Sequence, residues 1–167
     1  MFRRRGLALG FGVAMVALTL AGCSSFGGAS LTAKPMQVAD LPNIGSYTSD
    51  AALVEARGHF RNSDFGHSAA LYKRVVELSP DKAEGYVGLG ASYDQLRRFD
   101  LADRVYASLF KLKGGTVQYY NNLGYSQMLR GDLSGALKNF REAQKLDPEN
   151  TVISNNLQLL ADARAHA

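Results

Sequence analysis

A single cysteine, Cys23, stands in the 167-residue chain, which excludes an internal disulfide and a thiolate-rich metal site. Tryptophan is absent, and the histidines are limited to His59, His67 and His166. His59 and His67 lie eight positions apart across an expected turn. That is not the i, i+4 spacing that sets two imidazoles on one helical face, so no metal is expected and both read as surface or packing residues. No glycine-rich phosphate loop is present; Gly85, Gly88 and Gly90 fall inside an expected helix. Asp100 and Asp103 fall on an expected outer, solvated face, and no convergent set of reactive groups emerges; no catalytic residue, cofactor or small-molecule substrate is expected. Nor is there a real excess of one charge. The formal net charge is +4, but Arg3, Arg4 and Arg5 sit in a leader, and without them 16 basic residues face 15 acidic ones. The basic residues are dispersed among the acids and form no nucleic-acid-binding stripe.

A long apolar run is missing too. Leu7 to Leu20 is an uncharged stretch of 14 residues, short of the roughly 20 that a membrane-spanning helix needs. Three arginines before it and small residues after it give the pattern of a secretory signal peptide over residues 1–22. The string Leu20-Ala21-Gly22-Cys23 resembles the lipobox of bacterial lipoproteins. The resemblance implies that the peptide is cut before Cys23 and that Cys23 carries the lipid, acylated on both thiol and new amine. Each buried methylene contributes about 0.8 kcal/mol, so several acyl chains anchor firmly. Ser24 and Ser25 stand where that family's inner-membrane retention aspartate would be, which implies the periplasmic face of the outer membrane. Residues 24–47, within a lipidated-cysteine-and-tether segment 23–48, contain glycines, serines and two prolines without a helical period. As a flexible tether they would span roughly 25–30 Å.

From residue 49 the sequence repeats. Segments beginning at Ser49, Ala83 and Val117 are offset by 34 residues without a gap. The second carries Tyr86, Leu89-Gly90, Tyr93, Ala102 and Tyr106; the third carries Tyr120, Leu123-Gly124, Ala136, Phe140 and Pro148. The first is weaker, with Ala56, Ser68, Tyr72 and Pro80, and with Glu55 and His59 where the others have Leu and an aromatic or amide. Apolar residues in each segment follow two helical faces separated by a break such as Arg130-Gly131-Asp132. Asp147-Pro148 stops the last helix of the series, because proline lacks an amide proton and disfavours helix before it. Thr151–Ala165 reads as a further helix that covers the end with Ile153, Leu157 and Leu160.

These offsets resemble the tetratricopeptide repeat. The resemblance implies an all-α solenoid over residues 49–167: three helix-turn-helix repeats (49–82, 83–116, 117–150) and a capping helix (151–165). It also implies a concave groove built by the first helix of each pair, which docks a protein or peptide. On that pattern the groove holds Arg57, Phe60, Asp94, Asn121, Tyr125 and Met128, joined by Asn155 of the cap, with Leu53, Val87, Ala91 and Leu159 nearby. Arg57 and Asp94 are expected to orient a ligand, Tyr125 and Met128 to anchor it. Chaperone-type repeats that clamp a terminal carboxylate use lysines and asparagines at positions that here hold Leu53, Gly88 and Gln118, so that ligand is not expected. Lipobox, tether and repeat stack together look like the lipoproteins of tight-adherence (Flp-type) pilus assembly, which implies a pilus or secretin component as partner. Two alternatives stay open: a pilotin for a secretin, and an envelope adaptor that recruits cell-wall hydrolases or proteases.

Overall fold

The structure, a computed structural model, describes residues 35–166. The expected signal peptide, the lipidated Cys23 and the first part of the tether lie outside the described residues. Among these there are seven α-helices and one 3-10 turn (Ile44–Ser46): α1 (Ser49–Arg61), α2 (Phe65–Leu78), α3 (Ala83–Gln95), α4 (Phe99–Lys113), α5 (Val117–Leu129), α6 (Leu133–Leu146) and α7 (Thr151–Ala165). The first helices of the three hairpins begin at Ser49, Ala83 and Val117, the three repeat starts. No helix among the described residues is long and apolar enough to cross a membrane.

The second helix of each pair buries one stripe at i, i+4, i+7. It is Ser68, Tyr72 and Val75 in α2; Ala102, Tyr106 and Leu109 in α4; Ala136, Phe140 and Ala143 in α6. That spacing holds three side chains on one helical face, and the face turns onto the preceding helix. The aromatic of the stripe decides what can stand opposite. A Cβ added at Gly90 would lie 2.7 Å from the Tyr106 ring, and one at Gly124 2.7 Å from the Phe140 ring; at Gly88 it would overlap Tyr72. Glycine is there because an aromatic ring already fills the space of a side chain.

The turn inside each hairpin is built the same way three times. Ser63, Arg97 and Gly131 occupy equivalent positions with φ of 59°, 58° and 84°. The next amide then reaches back over five residues: Asp64 to the His59 carbonyl (2.9 Å), Arg98 to Tyr93 (2.8 Å) and Asp132 to Gln127 (2.9 Å). This is the backbone bonding of a helix C-terminus closed by a left-handed residue. The left-handed conformation costs a non-glycine residue roughly 1–2 kcal/mol, which only the third repeat avoids. Asp64 and Asp132 offset it by capping α2 and α6 with their carboxylates.

Ile153 and Leu160 of α7 are fully buried and Leu157 partly so, which closes the end of the stack as expected. The segment before α1 departs from the reading as a free tether. The Met36 amide donates to the Leu96 carbonyl (3.0 Å) and the Ala39 amide to Gly66 (3.2 Å), while Arg74 donates to the Gly45 carbonyl (3.1 Å). Val38, Leu41 and Tyr47 pack against the core of the first two repeats. Three apolar side chains spaced along an aperiodic stretch were enough to lay it on the domain, and a helical-period search does not see such a pattern.

Candidate functional site

The first helices of the repeats and the cap line a cavity of about 340 Å³. Phe60 of α1, Ala91, Asp94 and Gln95 of α3, Asn121, Asn122 and Tyr125 of α5, and Asn156 of α7 form its walls, with Tyr106 of α4 at its floor. Ala91 and Gln95, like Asn121 and Tyr125, are one helical turn apart and therefore share a face. The amides are ordered across elements: Asn156 Nδ2 donates to Asn121 Oδ1 at 2.8 Å, tying the cap to α5. Phe60 packs edge-on to Phe65 with ring centroids 5.3 Å apart, fixing one apolar wall.

A polar network holds the floor. The Asp94 carboxylate accepts from the Tyr106 hydroxyl (2.8 Å) and the Ser126 hydroxyl (2.6 Å), which joins α3, α4 and α5. Arg130 lies 3.9 Å from the same carboxylate, donates to Ser126 Oγ (2.6 Å), and grips Asp103 with two bonds of 3.0 and 2.9 Å. Its guanidinium also sits 4.8 Å from the centre of the Phe99 ring. Burial disfavours the charged form of Asp94 and raises its pKa to about 6, against the lowering effect of the Ser126 and Tyr106 bonds and the Arg130 charge. The Tyr106 hydroxyl is pushed well above its ordinary value, first by burial and then by the neighbouring carboxylate.

Of the residues expected in the groove, Phe60, Asp94, Asn121 and Tyr125 do line this cavity. Ala91 lines it as well, whereas the other expected residues, and the role given to Asp94, are placed differently. Arg57 is exposed, does not line the cavity, and pairs with Glu84 at 2.9 Å, so it joins repeats one and two. Asp94 is only 3% exposed, with its carboxylate already occupied; it shapes the groove instead of orienting a ligand by charge. Met128 packs against the Phe140–Leu160 cluster, and Leu53 belongs to the main core. Asn155 faces solvent and Asn156 takes the place expected of it. The 34-residue register ends at residue 150, so the rotation of α7 had no template. Gln95, Asn122 and Asn156 were not expected; the helical spacing Ala91–Gln95 was the available signal for the first. Asp103, expected as merely solvated, is held by Arg130.

His59, Asp64 and His67 also come together, at the turn between α1 and α2. Both imidazole Nδ1 atoms lie 2.8 Å from Asp64 Oδ2 and the rings stack with centroids 5.1 Å apart. The Asp64 carboxyl is held below the usual carboxylate range, chiefly by its bond to His67. The eight-residue spacing lacks the one-helix geometry of a ligand pair, but the hairpin turn folds one histidine back on the other.

Family models described as tetratricopeptide repeat match residues 53–108 and 117–150. Heat shock protein STI1 of Saccharomyces cerevisiae is 26% identical over 113 residues, covering 67% of this chain and 19% of that protein. BBSome complex member BBS4 of Mus musculus is 31% identical over 96 residues, covering 56% and 18%. The chain thus spans less than a fifth of the length of these relatives. Among solved structures, the TPR2B domain of yeast Sti1 in complex with pHsp70 superposes with a TM-score of 0.62 at 20% identity, over 71% of this chain and 98% of that one. The first TPR domain of human RPAP3 gives 0.62 at 17% identity, over 71% and 93%. The first TPR of Spaghetti (RPAP3), bound to the HSP90 peptide SRMEEVD, gives 0.58 at 20% identity, over 71% and 96%. Such identities speak for the fold alone. Three hairpins at a 34-residue offset, small residues facing aromatics, and these matches agree: residues 49–165 of this chain are a tetratricopeptide-repeat domain with a C-terminal capping helix.

Proposed function

We propose that this chain is a lipid-anchored protein-interaction scaffold, not an enzyme, and that it docks a peptide segment of its partner in the cavity between Phe60, Asn121, Tyr125 and Asn156. The observation that carries this reading is the character of the lining. Amides from Gln95, Asn121, Asn122 and Asn156 share the lining with the aromatic rings of Phe60 and Tyr125, and the one charged side chain, Asp94, is satisfied from within. Neutral amides complement peptide backbone, and aromatic walls accept an apolar side chain. A ligand recognised chiefly by a charged terminus finds no free cation among these wall residues. Two solved neighbours are complexes, the Sti1 domain with pHsp70 and the Spaghetti domain with the HSP90 peptide SRMEEVD.

The partner we propose is a pilus or secretin component of a tight-adherence secretion apparatus, with the protein held at the periplasmic face of the outer membrane through Cys23. The Leu20–Cys23 lipobox, Ser24 and Ser25 support the location. Because residues 36–47 lie against the domain, only residues 24–35 separate anchor from scaffold. Anchoring confines partner and scaffold to one surface and raises their effective concentration. Labelled palmitate is expected to be incorporated into the wild-type protein and not into Cys23→Ala; labelling that persists in that variant would contradict lipid anchoring at this cysteine.

For the groove, the joint variant Tyr125→Ala, Asn156→Ala is expected to weaken partner capture at least about 30-fold, as loss of a central aromatic anchor does. In a strain lacking the chain it should fail to restore piliation while keeping a wild-type helical spectrum and leaving wall-hydrolase activity unchanged. Restored piliation would reject groove docking. Normal piliation with reduced hydrolase recruitment would favour the adaptor reading instead.

A further inference from the structure

We propose that His59, Asp64 and His67 form a binding site for a borderline divalent transition-metal ion of zinc's class, pinning the turn of the first hairpin. His59 lies in the last turn of α1, Asp64 caps α2 and His67 lies in the first turn of α2. The left-handed Ser63 closes the turn and brings one donor atom from each of the three within 4.8 Å of the others. The equivalent positions are Tyr93, Arg98 and Leu101 in the second repeat, and Gln127, Asp132 and Gly135 in the third. The same backbone turn therefore occurs three times, but only the first collects ligands.

The donor set selects the ion. Two imidazole nitrogens and one carboxylate suit zinc and its neighbours, whereas calcium and magnesium favour all-oxygen shells. Tetrahedral zinc with nitrogen and oxygen at about 2.0–2.1 Å sets its ligands about 3.3 Å apart. The His–Asp separations of 2.8 Å have to open by about half an ångström, which side chains 33–40% exposed can do. That exposure also leaves room for water to complete the coordination. Without a metal, both Nδ1 atoms must carry protons to bond the carboxylate; with one, both present lone pairs and Asp64 still supplies the negative charge.

The test is a zinc titration of the untagged full chain carrying Cys23→Ser, so that no thiol contributes, in competition with a chromophoric chelator and with thermal melting in parallel. One equivalent of zinc and a rise in Tm are expected, while magnesium does neither. His59→Gln installs the residue that the third repeat has at this position, and Asp64→Asn keeps a good helix cap while removing the carboxylate. Each should bind zinc at least tenfold more weakly and lose the zinc-induced rise over its own metal-free Tm, and His166→Ala should bind as the parent does. No bound equivalent in the parent, or undiminished affinity in both turn variants, would overturn the proposal.

Discussion

Phe140→Ala is expected to destabilise the domain by about 3–5 kcal/mol, the usual cost of truncating a fully enclosed aromatic. Phe140 is 0% exposed and stands at the junction of α5, α6 and α7, against Gly124 on one side and Leu160 on the other. The space it would vacate is walled by backbone at Gly124 and Ala136, which cannot collapse without moving whole helices. A domain of this size has a total stability on the order of 5–15 kcal/mol, so this single change removes a large part of it. Urea unfolding should show a lower midpoint with a similar slope. Phe110→Ala is the comparison: its ring is 47% exposed beside Tyr119, and truncation should cost about 1 kcal/mol or less. Equal losses in the two variants would mean that Phe140 does not close the third repeat.

The second large effect depends on pH. Asp94 has a folded pKa of about 6 against an ordinary 3.8. A raised acid binds its proton more tightly in the folded state, so between about pH 4 and 6 folding takes up protons. Its contribution is most favourable below the unfolded value and declines as pH rises through the folded one. A shift of about two units corresponds to about 3 kcal/mol. The side chain is 2% exposed, so solvent screening takes little from that figure. Asp50 and Asp64, both lowered, push stability in the opposite direction over acid pH. Comparison with Asp94→Asn cancels those shared trends. Because the unfolded carboxyl is already more than half ionised at pH 4, the stability of the parent relative to that variant should fall by about 2 kcal/mol from pH 4 to pH 7, measured by urea unfolding at each pH. A difference that stays flat would show that the Tyr106, Ser126 and Arg130 contacts fully compensate the burial.

The repeat register was legible because each hairpin poses the same packing problem and solves it with the same spacing. Tyr72, Tyr106 and Phe140 fall where their apolar neighbours place them, and the helices begin at Ser49, Ala83 and Val117. Half of the groove followed from that register, since Phe60, Asn121 and Tyr125 lie on first helices. What stayed hidden involves pairs that no periodicity relates. Asp94 meets Ser126 and Asp103 meets Arg130 across repeat boundaries, and those bonds convert two expected surface or ligand-facing acids into structural ones. Asn156 was displaced by one position from the expected Asn155, because a lone capping helix has no copy to set its rotation. The His59–Asp64–His67 cluster arises from a left-handed turn at Ser63, where the residue type gives no glycine signal.

Docking in the concave face is the claim on which the functional account stands. A photo-crosslinking residue placed at Tyr125, inside the groove, and in a second protein at Lys138, exposed on α6, compares the two faces directly in pilus-producing cells. The account predicts a discrete crosslink to one pilus or secretin component from position 125 and none from 138. The same partner captured from 138, with nothing from 125, would contradict it.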